Sequence, residues 1–189
     1  MLVGSAVASL SLFSPTIVAG LGYSGLRAQL FTVPPYAVAY VITLAAAMVS
    51  DRYKCRGLVA GVCCLVCGLA FIVQAALPGE SFTGRYICLI IATSGTFGGL
   101  PSLCAWVGVN VRTSTAGSLS TALHIAFSGP GQIVGVWIYR AQDKPFYRMG
   151  HAINAAFVMT SGLLSLGLMV YYQRLNKKMV GSNEQRWIA

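Results

Sequence analysis

Acidic side chains are nearly absent: four Asp and Glu stand against 13 Lys and Arg and 2 His in 189 residues. Charge of either sign makes up 9% of the chain, where a soluble domain carries about 25%. So few charges cannot cover the surface of a water-soluble globule, and lipid is the solvent that suits them. The scarcity also excludes chemistry. Asp51, Glu80, Asp143 and Glu184 all fall between apolar runs or at their ends, so no carboxylate is placed within a run to serve as a proton relay or ion site. No Lys or Arg is read at membrane depth, which removes a buried cation for an anionic substrate. The bases form short clusters between apolar runs rather than one basic face, which excludes nucleic acid as a partner.

What remains is 56% hydrophobic with a mean hydropathy of +0.71. Crossing the hydrocarbon core takes about 20 apolar residues, and six runs qualify: Leu2 to Ala19, Val33 to Val49, Leu58 to Leu77, Tyr86 to Val109, Leu119 to Tyr139 and Ala152 to Tyr172. Backbone polar groups must be paired in lipid, so each run is a helix or a barrel strand. Barrel strands are about half this length and alternate in hydropathy, so these are helices. The expected fold is an all-α integral membrane bundle over residues 1–172, followed by a tail over 173–189. The first run starts at Met1 without a basic region before it and is broken by Ser11, Ser14 and Pro15, which argues against a cleaved signal.

Eight bases follow the second and fourth runs or lie in the tail: Arg52, Lys54, Arg56, Arg112, Arg174, Lys177, Lys178 and Arg186. The other loops hold five: Arg27, Arg85, Arg140, Lys144 and Arg148. Bases favour the cytoplasmic side, which places the tail there and, with an even number of spans, the N-terminal end too. Gly95, Gly98 and Gly99, and Gly129, Gly131 and Gly135, are expected where helices approach closely. Pro101 and Pro130 interrupt the same two runs, either as packing kinks or as markers of a translocation path.

Six cysteines occur, and Cys63, Cys64 and Cys67 lie inside an apolar run without a second pair or a His at zinc spacing. They are read as small hydrophobes, and neither a metal nor a cofactor is expected. Ser94-Gly95 lacks the first Gly of an intramembrane serine protease turn, so no enzyme is expected. One polar stripe stands out. His124, Ser128 and Gln132 recur every four residues on one helix face, and facing lipid would be costly. They are candidate substrate-binding residues, or else His124 is a neutral side chain packed between helices. Ser102 and Trp106, also four apart and beside Pro101, are further candidates, with an interfacial belt as the alternative for Trp106.

The turn Ser50-Asp51-Arg52-Tyr53-Lys54-Cys55-Arg56-Gly57 resembles the major facilitator loop motif G-x-x-x-D-R-x-x-x-R. Asp51, Arg52 and Arg56 match it, while Ala47 stands at the usual Gly. The stretch from Tyr139 to His151 (Tyr139, Arg140, Asp143, Pro145, Tyr147, Gly150, His151), with Leu30 to Tyr36 and Leu100 to Ser102, is similar to the C-terminal half of fungal anion:cation symporters of the allantoate and nicotinate permease group. The resemblance runs from the first span to the last. It implies helices seven to twelve of a twelve-helix transporter, built as two three-helix repeats (1–77 and 86–172). It further implies proton-coupled carriage of a small organic anion or vitamin-like carboxylate, in the plasma membrane in preference to internal ones. Such a protein needs a missing N-terminal six-helix half, or another chain that supplies it. The alternative is a non-transporting remnant with a structural or partner-binding role. The fifth span departs from the family's usual Q-I-A-F-G-N-x-G-G, reading His124-Ile125-Ala126-Phe127-Ser128-Gly129-Pro130-Gly131-Gln132, so substrate identity does not carry over.

Overall fold

A computed structural model describes residues 1–178 apart from 21, 23, 24, 79, 80, 112 and 145. Glu80, Arg112, Pro145, Glu184 and Arg186 therefore lie outside the described residues. The described chain is helical throughout: α1 Leu2–Ala19, α2 Leu26–Leu30, α3 Val33–Tyr53, α4 Arg56–Ala76, α5 Phe82–Val109, α6 Ser114–Trp137 and α7 Arg148–Lys178, with one 3-10 turn at Ala141–Asp143. Local chemistry sets several ends. Pro34 and Pro35 open α3, where a missing N–H costs nothing. Lys54 takes the left-handed conformation at φ 51° and closes it. The Thr113 hydroxyl accepts from the Ala116 N–H at 3.3 Å and caps α6.

Among the described residues, five segments are long and apolar enough to cross a membrane: Leu2–Ala19, Leu26–Tyr53, Arg56–Ala76, Phe82–Val109 and Arg148–Lys178. The fifth expected span forms as α6, which has the length at 24 residues but not the apolarity. Its polar stripe and its Ser, Thr and Gly content are the cause. The count of strongly apolar spans is therefore five where the sequence suggested six.

Helix α5 packs on α3 and α4, α7 on α4, and α1 on α6 and α7. Small residues make these contacts close. A Cβ added to Gly95 would stand 2.8 Å from the Cys63 carbonyl oxygen, and one on Gly99 would stand 3.1 Å from Cys63 Cβ. The cysteine cluster is thus the surface against which α5 is laid. On α6, Gly131 and Gly135 meet the backbones of Met1 and Ser5 directly, and Ser9 Oγ donates to the Gly135 carbonyl at 2.8 Å. Gly129 faces open space instead, so only part of the expected glycine set serves contact. Arg85 also differs from expectation. It is not a loop base but lies in the first turn of α5, 2% exposed.

Candidate functional site

The polar stripe of α6 opens onto a cavity of about 230 Å³ between α1, α5, α6 and α7, lined by His124 and Ser128 together with Met1 to Gly4, Leu100, Leu103, Ser161 and Leu164. Helix α6 brings His124 and Ser128 to one face because they are four residues apart. Gln132, one turn on, donates from Nε2 to Ser128 Oγ at 3.3 Å. His124 Nε2 lies 3.5 Å from Cys104 Sγ on α5. Both His124 and Ser128 are partly exposed, whereas most of their neighbours on α6 are exposed apolar groups such as Leu123, Ile125 and Phe127. The cavity can therefore offer an imidazole and a hydroxyl to a small polar ligand against apolar walls.

Ser102 and Trp106 are not brought to this cavity. Ser102 is 2% exposed and Trp106 6%. The Trp106 indole covers Gly57, whose added Cβ would stand 2.8 Å from Cζ2, and meets the Tyr172 ring edge-on at 5.9 Å. The sequence spacing put both on one face of α5, and that face turns towards α4 and α7.

At the α3–α4 turn, Arg56 Nη2 donates to Asp51 Oδ1 at 2.8 Å and its Nη1 donates to the Ala105 carbonyl at 3.3 Å. Arg56 thus ties the turn to the end of α5, while Arg52 is exposed. The stretch from Tyr139 to His151 is less a loop than a plug. Tyr139 and Tyr147 are 5% and 1% exposed and His151 is fully buried. Ser5 Oγ donates to Asn154 Oδ1 at 2.7 Å, Asn154 Nδ2 to the Tyr139 hydroxyl at 3.4 Å, and that hydroxyl lies 2.9 Å from His151 Nδ1. Phe13 stacks on Tyr139 at 4.9 Å. Gly150 is where the Tyr139 ring passes, 3.0 Å from an added Cβ. Tyr147 holds φ 45°, and burial raises its phenol above the ordinary range. Arg140 and Asp143 line a separate surface hollow with Trp137 and Met149. Sequence reasoning placed no buried role on Gln74 or Arg85, both of which the structure buries.

Comparison with known proteins agrees with this architecture. No protein-family model matches the chain, and no solved structure matches it. The MFS transporter prlL of a fungal species (strain NRRL 50135) is 44% identical over 174 residues, which is 91% of this chain and 35% of that protein. The high-affinity nicotinic acid transporter of Saccharomyces cerevisiae is 28% identical over 171 residues, 89% of this chain and 31% of its own length. The MFS-type transporter cnsO of Penicillium expansum is 26% identical over 181 residues, 92% of the chain and 34% of cnsO. The chain thus spans about a third of the length of these curated relatives. It is a multi-pass membrane homologue of the fungal major facilitator transporters, and its helical bundle fits one half of such a fold.

Proposed function

We propose that the chain supplies helices seven to twelve of a twelve-helix secondary transporter and acts with a second six-helix half. Together they carry a small organic anion or vitamin-like carboxylate across the plasma membrane with a coupled proton. One observation carries this proposal: His124 and Ser128, with Gln132 bonded to Ser128, open on a cavity, on a helix that also exposes Leu119, Leu123, Ile125, Phe127 and Ile133. Polar groups facing lipid are costly, so a second bundle facing this stripe would shelter them and close a path. The pairing of helices supports two three-helix repeats, 1–77 and 86–172. The first helix of each set, α1 or α5, lies against the second helix of the other, α6 or α3, and the third helices α4 and α7 lie together. The Asp51, Arg52 and Arg56 turn would then be a cytoplasmic gate, with the tail over 173–189 on the same side. The nicotinic acid transporter among the relatives makes nicotinate the first substrate to try.

The test is uptake of labelled nicotinate and of a short carboxylate series in yeast lacking its own nicotinate carrier. The chain is expressed alone and with the N-terminal half of prlL. Saturable uptake only in the paired strain is the expected result, reduced several-fold by His124→Gln at unchanged surface expression. A chain that reaches the membrane, binds the second half and moves no anion would favour the structural alternative.

A further inference from the structure

At the end of the bundle opposite the Asp51 turn, three buried polar side chains on three helices have unfilled hydrogen-bonding capacity. Gln74 of α4 and His151 of α7 are fully buried and Arg85 of α5 is 2% exposed. Among the described residues, Gln74 Nε2 and Oε1, Arg85 Nη1 and His151 Nε2 have no partner. The helix registers bring the three together. Gly61 meets Leu166 and Gly68 meets Met159, so antiparallel α4 and α7 set Gln74 opposite the first turn of α7. Gly99 meets Cys63 and Gly95 meets Cys67, which sets Gln74 at the level of Cys88, about one turn from Arg85 in α5. Phe71, one turn before Gln74, lies 5.9 Å from the His151 ring. Arg85 Nη2 donates to the Phe146 carbonyl at 2.9 Å, next to Tyr147, whose own carbonyl accepts the His151 N–H at 3.0 Å.

The unfilled groups are mostly donors. Asn154 donates to the Tyr139 oxygen, and that hydroxyl lies 2.9 Å from His151 Nδ1. With the hydroxyl as donor, the neutral imidazole carries its proton on Nε2 and adds a donor to those of Arg85 Nη1 and the Gln74 amide. The charge there is positive. Arg85 sits over the Phe146 ring at 4.6 Å, and Arg148 opens the neighbouring α7. The N-termini of α5 and α7, positive by their dipoles, end at this level. The ion pair found among the described residues, Arg56 with Asp51, is at the far end. Among the described residues no carboxylate pairs with Arg85, and a buried guanidinium without a counter-charge is costly.

We propose that Gln74, Arg85 and His151 form a buried binding site for a small monovalent anion, a halide or a carboxylate, which locks α4, α5 and α7 together. The site is separate from the His124 cavity and does not depend on the transport proposal.

Thermal unfolding of the whole purified chain in detergent tests it, at fixed ionic strength with sodium gluconate exchanged for chloride, bromide or acetate. Binding should raise the melting temperature saturably, by roughly 3 °C or more well above the dissociation constant. A halide site responds to chloride and bromide; a carboxylate site responds best to acetate. Gln74→Leu removes one donor and should raise the half-saturating concentration roughly tenfold. Arg85→Met should abolish the response. A melting temperature indifferent to the anion assigns the space to water and overturns the proposal, whether or not the variants fold. So does an unchanged response in Gln74→Leu and in a folded Arg85→Met.

Discussion

Replacing Tyr139 with Phe removes one oxygen from the middle of the bundle and keeps the ring. The ring's contacts should survive, because Phe13 stacks at 4.9 Å and the Tyr147 ring lies at 5.5 Å. The lost hydroxyl bridges His151 Nδ1 at 2.9 Å and Asn154 Nδ2 at 3.4 Å. Hydrogen bonds between membrane helices are worth ~0.6–1.7 kcal/mol each, and the longer of these two belongs at the low end. The larger effect is on His151, which is fully buried and would be left with an unpaired ring nitrogen, at a cost of ~1–3 kcal/mol. The expected destabilisation is about 3 kcal/mol. For a chain of this size that is a fall of roughly 6–12 °C in melting temperature. A thiol-reactive dye reads the transition, since Cys64, Cys67 and Cys88 are buried and free until the bundle opens. Ser5→Ala, which strips only the outermost link to Asn154, should fall less. A Tyr139→Phe protein melting within about 1 °C of its parent, while Phe13→Ala drops sharply, would refute the bridging role and leave ring packing as the whole contribution.

Gly135→Ala should be severely destabilising, by about 3 kcal/mol or more, because the new Cβ meets the Ser5 backbone, which cannot swing aside. Gly129→Ala has nothing nearby and should be neutral or slightly stabilising by helix propensity; equal effects in the same dye assay would contradict the α1–α6 contact. At the turn, Asp51 is 66% exposed, so Asp51→Asn should cost under about 1 kcal/mol. Arg56→Met also loses the bond to the Ala105 carbonyl and should cost more, which paired melts will rank. Topology is checked by reporters: one fused at the C-terminal end should be cytoplasmic and one at Lys144 on the opposite face, and finding both on one face would sink the six-span arrangement.

The helices were legible because hydropathy and length are properties of composition, and lipid leaves the backbone no alternative to intrahelical bonds. Thus the run from Leu2 to Ala19 is α1 itself, and the Asp51–Arg56 turn lies between α3 and α4 as its charges suggested. Arg85 was not legible. It precedes an apolar run by one residue, and a positive charge there reads as a loop base unless one knows that Phe146 folds back over it. His124 was read on a polar stripe of the fifth run, and it is half-buried on the cavity wall. His151 looked like a loop residue, yet it is fully buried, because tertiary contacts with Tyr139 and Phe71 decide its depth. Gln74, at the end of α4, gave no signal, since a lone amide near a span end usually reaches water.

Helix α6 falls short of the apolarity of the other long helices, while its principal partner, α1, comes well before it in the chain. A segment of marginal hydropathy enters the bilayer at the translocon only weakly by itself. Gly131 and Gly135 give α1 a surface to grip as α6 arrives. A marginal α6 would therefore gain from an α1 already in the membrane and held there through the synthesis of α3, α4 and α5. Lesions in α1 should then be felt first as degradation of a chain with its later half misthreaded.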